Sequence, residues 1–218
     1  MSVVSFDVDV GEARTTAVLY RANDARAVIA LGHGAGGRQS HPWMVGMAQA
    51  LSSRGLDVVT FDFLYAHAGR RLPDKNDTLE ATWRAVIGAV RARIDVAHGR
   101  LFLGGKSMGG RIATQVAARG NVGDIAGLAL MSYPLHPPGK PERLRTAHLP
   151  LVRAPMLFVQ GSRDPFGTPD ELSSVVGSLG ANARLFVVKG GDHSLSVRGQ
   201  PPDETMASIS DEVARFCA

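Results

Sequence analysis

Short apolar runs alternate along this chain with stretches in which apolar residues recur every three or four positions. Near the start, Phe6, Val8 and Val10 alternate with Ser5, Asp7 and Asp9, the period of a strand with one buried face. Gly11 to Arg14 turns the chain into a second strand-like run, Thr15 to Tyr20, so the two predict an antiparallel hairpin at a sheet edge. After the Asn23-Asp24 turn, Ala27 to Leu31 is continuously apolar, as expected of a central strand buried on both faces. Leu56 to Phe63, the run from Leu101, Ile125 to Met131, Pro155 to Gly161 and Arg184 to Val188 repeat that signal.

Helical spacing fills the gaps. Pro42, Met44, Met47, Ala48 and Leu51 mark one face of a helix closed by Gly55 at C′. Asp77 with Glu80 resembles a capping box ahead of a longer face made by Leu79, Trp83, Val86, Ile87, Val90 and Ile94. A third helix begins near Met108, buries Ile112 and Val116 and stops around Gly120; Asp170 to Leu179 predicts a fourth, and Met206, Ile209, Val213 and Phe216 a closing one. Strands and helices joined by short links describe βαβ units. The fold class is therefore α/β: a mostly parallel central sheet flanked by helices on both faces, with the antiparallel hairpin at its N-terminal edge. Reactive groups in such sheets lie outside the carboxyl ends of the strands. The proline-rich connection from Ser132 to Pro150 leaves room for a minimal lid.

At 218 residues, 44% hydrophobic and 20% charged, the chain has the size of one such domain spanning 1–218. A formal charge of +4 invites a nucleic-acid reading, yet the arginines are spread from Arg14 to Arg215 without a basic run, so no nucleic-acid partner is expected. The N-terminus lacks a basic region before an apolar stretch, and no run of about 18 apolar residues occurs, so the expectation is a cytoplasmic protein without membrane attachment. A single cysteine, Cys217, excludes an intrachain disulfide and a thiolate metal cluster and reads as a bystander.

The candidate chemistry centres on Gly105-Lys106-Ser107-Met108-Gly109, a GxSxG sequence between a strand and a helix. A turn sharp enough to expose Ser107 there needs residues without side chains two positions either side, and Gly105 and Gly109 supply them. Serine is a weak nucleophile at neutral pH and needs a base, which in turn needs a carboxylate to orient it. Asp164 and His193 each follow a strand, in the order Ser, Asp, His. Taken singly, Asp164 reads equally well as a turn cap and His193 as a loop histidine; three strand-end positions in one order favour catalysis. Asp192 ranks below Asp164 because neighbours in a loop seldom face each other.

The glycine-rich loop Gly32-His33-Gly34-Ala35-Gly36-Gly37 lacks the spacing of a phosphate cradle and fits an oxyanion loop. The backbone N–H groups of Ala35 and Met108 are the candidate oxyanion donors, with His33 holding the loop. Candidate substrate-contacting residues are His136, the strongest rival histidine, Tyr65, Arg70 and Lys106. Arg38, Arg70, Arg71, Lys106 and Arg163 all fall in loops predicted at the active rim, which raises an anionic substrate as a secondary reading, although surface solvation explains them equally well. His33 and His41 have no carboxylate partner at metal-site spacing, and neither a metal nor a cofactor is expected.

On His33-Gly34-Ala35-Gly36-Gly37, Gly104 to Gly109, Ser132-Tyr133-Pro134-Leu135-His136, Phe158 to Asp164 and Asp192 to Gly199, the chain resembles an α/β-hydrolase over nearly its whole length. Within that superfamily it is similar to a small group that includes a testis-expressed hydrolase-like protein and a subunit of a histone-acetyltransferase complex. Dienelactone-hydrolase-like proteins are also similar in size and layout, with cysteine as nucleophile where this chain has Ser107. The resemblance implies the hydrolase fold and the triad, and no particular substrate. The resulting expectation is a serine hydrolase of carboxylesterase type, acting on a small acyl ester through an acyl-enzyme; the alternative is a hydrolase-fold binding or scaffold protein whose triad is unused. No protein partner is indicated.

Overall fold

The N-terminal alternation becomes a hairpin in which β1 (Ser2–Val10) pairs antiparallel with β2 (Ala13–Arg21). The structure is a computed structural model and describes residues 2–94 and 100–218. Next come β3 (Ala27–Gly32), α1 (Pro42–Ser52), β4 (Leu56–Phe61), the single turn α2 (Leu64–His67) and α3 (Asn76–Arg93). β5 (Leu101–Lys106) runs through Ser107 into α4 (Met108–Arg119), followed by β6 (Gly127–Met131), β7 (Met156–Gly161), α5 (Pro169–Ser178), β8 (Ala183–Val188) and α6 (Pro202–Phe216).

Among the described residues these strands form an eight-stranded sheet in the order β1-β2-β4-β3-β5-β6-β7-β8. β2 pairs antiparallel with β4, and from β4 to β8 every pairing is parallel. The order changes direction between β3 and β5: from β3 the chain goes outward to β4, then returns to place β5 on the other side. A crevice opens at such a switch point, outside the carboxyl ends of the strands.

Alternation along each strand divides the core between the two faces. Val28 and Ala30 of β3 join Trp83 and Val86 of α3 and Ile112 and Val116 of α4. Ile29 and Leu31, one position out of phase, join Met47 and Leu51 of α1 and Ile209 and Val213 of α6. Each such buried aliphatic or aromatic side chain contributes roughly 1.5–3 kcal/mol of transfer free energy, so a one-residue slip of β3 reverses both faces at once.

Three local expectations are corrected. The capping box at Asp77 and Glu80 does not form: α3 starts after Lys75 with no side-chain cap, and Glu80 is 2% exposed. A carboxylate buried to that degree needs compensating charge, and Glu80 receives it from Arg84 at 3.2 Å and Arg119 at 2.9 Å. A capping box forms instead at α5, where Thr168 and Glu171 satisfy each other's backbone N–H groups. Strand β4 stops at Phe61 rather than Phe63, since the Asp62 carboxylate turns away to accept the Gln39 N–H at 2.7 Å and the chain winds into α2. Helix α1 is capped at Ser53, and Gly55, with φ +81°, lies one residue beyond the expected C′ position.

The connection after β6 is tied down by backbone. The Arg145 N–H donates to Leu135 O and the Tyr133 hydroxyl to Arg145 O, both at 2.8 Å, and a three-residue turn at Leu149–Leu151 is its one helical piece among the described residues. Within it, His148 Nε2 lies 2.8 Å from Thr114 Oγ1, whose own proton goes to Arg111 O. His148 therefore donates, and burial followed by the Arg111 charge pushes its pKa down to about 4. The unfolded chain takes up this proton near the usual imidazole value of about 6.5. The stabilising contribution is thus complete above pH of about 6.5 and is lost as the pH falls from there through about 4. His148→Gln, which keeps a donor toward Thr114, is expected to flatten the fall in melting temperature across that window. An unchanged pH profile would show that His148 titrates normally. No helix among the described residues is long and apolar enough to cross a membrane.

Candidate active site

β5 delivers the chain to the switch point, and backbone crowding there dictates the glycines. A Cβ on Gly105 would stand 2.2 Å from Gly32 O, and one on Gly109 2.1 Å from the same atom. Gly105 also has φ +145°. With both side chains absent, β3 and α4 close on each other, and Ser107 is left at φ 51°, ψ −115°, a region that costs a non-glycine residue about 1–3 kcal/mol. The strain is held by the Ser107 N–H donating to Met131 O at 2.8 Å, by the Arg111 N–H donating to Ser107 O at 3.0 Å, and by Trp83, whose indole N–H reaches Gly109 O at 3.2 Å.

Ser107, His193 and Asp164, carried by three separate strand ends, meet at this point. His193 Nε2 is 2.9 Å from Ser107 Oγ, and His193 Nδ1 is 2.9 and 2.8 Å from the two oxygens of Asp164. Asp164 is wholly buried, and its other neighbours are also donors: Gln160 Nε2 at 2.9 Å and the Phe166 N–H at 2.9 Å. A carboxylate surrounded by donors accepts from Nδ1–H, so the Nε2 lone pair faces the Ser107 hydroxyl. That tautomer is able to take the hydroxyl proton. Phe166 stacks on the imidazole with ring centroids 4.1 Å apart, fixing its plane.

A cavity of about 690 Å³ opens over Ser107 and His193. Ala35 and Met108 line it with them. Met108 is the first residue of α4, where a backbone N–H has no acceptor within its own helix and the helix dipole favours negative charge. Behind Ala35 the loop is braced by His33, 1% exposed, which donates from Nδ1 to Gly34 O at 2.8 Å and accepts the Phe63 N–H at Nε2 at 3.2 Å. Burial, the largest influence, lowers the His33 pKa and keeps the ring neutral. Among the described residues, no cluster of three or more His, Cys, Asp or Glu side chains is placed to hold a metal ion.

Residues 25–218 match the sequence model of a family described as alpha/beta hydrolase domain. The chain belongs to this family. Solved structures follow it along almost its whole length. A dienelactone hydrolase from Anabaena variabilis has a TM-score of 0.79 at 19% identity, covering 99% of this chain and 96% of that one. A serine hydrolase without a lid from Xanthomonas campestris gives 0.76 at 20%, covering 98% and 94%. An esterase from Pyrococcus furiosus gives 0.76 at 17%, covering 100% and 91%. At such identities the likeness is one of fold.

The remaining candidates in this alpha/beta hydrolase fall on both sides of the cavity wall. Lys106 lines the cavity, its ammonium 4.9 Å from the Trp43 ring centroid, and burial lowers its pKa. His136, Tyr65 and Arg70 do not line it. His136 is turned inward, with Nδ1 2.8 Å from Pro137 O and Nε2 3.2 Å from Glu171. Tyr65 is fully buried behind the glycine-rich loop, its hydroxyl accepting the Gly36 N–H at 3.2 Å, and Arg70 is paired with Asp74 at 2.7 Å on the surface. Asp192 caps its own loop by accepting the N–H groups of Ser194 and Ser196 at 2.7 and 3.0 Å. Cys217 is buried, which raises its thiol to about 12.

The sequence pattern does not bring forward Gln160 and Phe166, which contact Asp164 and His193, or Arg111 and Arg145, which line the cavity. Gln160 had a readable signal, a lone amide inside the apolar strand β7. Arg111 had one in its spacing, one helical turn after Ser107. Arg145 had none, because a link of irregular backbone carries no period.

Proposed function

We propose that this protein is a serine hydrolase of the carboxylesterase type, acting on small acyl esters through an acyl-enzyme at Ser107. The reading rests above all on His193, which has Nε2 2.9 Å from Ser107 Oγ while Nδ1 is held by a buried Asp164. Ser107 Oγ attacks the ester carbonyl as its proton passes to His193 Nε2. The carbonyl oxygen, now negative, is held by the N–H groups of Ala35 and Met108. His193 returns the proton to the departing alkoxide, leaving the acyl group on Ser107. Water then attacks the acyl carbon as its proton passes to His193, and His193 gives that proton to Ser107 Oγ as the Oγ–acyl bond breaks and the carboxylic acid leaves. Asp164 stays ionised throughout and stabilises the imidazolium. The Tyr133 to His136 and Asp192 to Gly199 segments support kinship with the testis-expressed group.

With p-nitrophenyl acetate the expected result is a burst of p-nitrophenol, one per chain, followed by slower steady turnover. Absence of both burst and turnover across a panel of short acyl esters would leave the fold without this activity.

A further inference from the structure

The cavity that holds Ser107 carries more positive charge than its acids neutralise. Arg38, Lys106, Arg111 and Arg145 line it, against the single carboxylate of Asp74, which is already paired with Arg70. Lys106 rests on Trp43 and Arg38 is exposed. Arg111 and Arg145 are different: both are half-buried, and neither guanidinium has an ion pair or a hydrogen bond to a described residue. Glu80, the one carboxylate whose charge acts on Arg111 among the described residues, is itself held by Arg84 and Arg119. Burial of an arginine is ordinarily offset by a paired carboxylate; these two are withdrawn in part from solvent without one, and two like charges share one wall.

Both are placed by backbone. Arg111 lies one turn after the nucleophile on α4, its N–H bonded to Ser107 O at 3.0 Å, and side chains on a helix lean toward its N-terminus, here toward the cavity. Arg145 is fixed by the Leu135 and Tyr133 bonds already described. Each depresses the affinity of Arg111 for its proton in the same sense: burial first, then the Arg145 charge. A bound anion relieves both costs.

We propose that Arg111 and Arg145 form an anion subsite of the Ser107 cavity, and that the ester cleaved there carries a carboxylate on a part of the molecule that does not react. The guanidinium fork matches a planar carboxylate by paired N–H donors. The inference rests on the esterase reading for its chemistry, while the subsite itself is a matter of binding.

The test compares acidic and neutral esters of matched length. One arm puts the charge on the acyl side, p-nitrophenyl hydrogen glutarate against p-nitrophenyl valerate; the other puts it on the alcohol side, carboxymethyl butyrate against propyl butyrate. The expected result is a kcat/KM ratio favouring the acid by about tenfold or more in one arm, as a charge-assisted hydrogen bond allows. Arg111→Gln and Arg145→Gln should each bring the ratio toward one, Arg111→Lys should restore part of it, and Arg71→Gln, an exposed charge outside the cavity, should leave it alone. Ratios near one in both arms, or a preference that survives both glutamine variants, would overturn the subsite. Calorimetric titration with glutarate reads binding without turnover: heat lost in Arg111→Gln supports the subsite even where Ser107 proves inert, and neutral-ester turnover without acid preference retains the esterase while removing the subsite.

Discussion

Ser107→Ala is expected to lower kcat on a short neutral ester by about 10⁶-fold, the scale seen when a serine nucleophile is removed from an intact oxyanion site. The loss should be chemical rather than structural. Alanine keeps the Cβ and therefore the strain at φ 51°, while Ser107→Gly, which relieves it, should gain stability and be equally inactive. Asp164→Asn tests the geometry behind the serine. Asp164 accepts from His193, Gln160 and Phe166, so an amide NH₂ placed there must confront a donor or force the imidazole into the other tautomer. A fall of about 10⁴-fold is expected, with the nucleophile untouched. Measured kcat for the three variants, with circular dichroism as a check on folding, decides the matter; an Asp164→Asn enzyme of normal rate would remove the triad from the mechanism.

Gly109→Ala is expected to be among the most damaging single methyl additions at the described residues. Its Cβ would lie 2.1 Å from Gly32 O, 2.3 Å from Gly32 C and 2.8 Å from His33 O, all backbone atoms of β3 or the loop after it. No side chain is available to swing aside, so β3 and α4 must separate at the centre of the sheet. A loss of more than about 4 kcal/mol, or failure to fold, follows from such overpacking of rigid neighbours. Gly88→Ala supplies the contrast: it is exposed in α3 with nothing within 4 Å, and should stabilise by about 0.5–1 kcal/mol. Urea unfolding midpoints for the pair test the account, and a Gly109→Ala protein of ordinary stability would contradict the close approach of β3 and α4.

The central fold was legible because its signals are periodic. Runs such as Ala27 to Leu31 are buried on both faces of a parallel sheet, and the helical spacing of Met44, Met47 and Leu51 or of Leu79, Trp83 and Val86 survives folding unchanged. Boundaries set by tertiary partners were not. Glu80 left its capping role for two arginines, one of them 39 residues further on, a competition that local sequence does not display. The site divides the same way. Ser107, Asp164 and His193 each follow a strand that its apolar run marks, and the structure brings the three side chains within hydrogen-bond distance. Residues that approach from the side of the cavity were not legible in this way: His136 and Tyr65 turned toward internal partners, and Arg111 and Arg145 took the wall that Arg70, Arg71 and Arg163 were expected to share.

The most direct test of the account is covalent labelling of the full chain by a fluorophosphonate, read as intact mass. An activated Ser107 predicts one adduct per chain, mapped to Ser107, absent in Ser107→Ala and formed far more slowly in His193→Ala. No adduct on the wild-type chain, or an adduct that persists in Ser107→Ala, would contradict it.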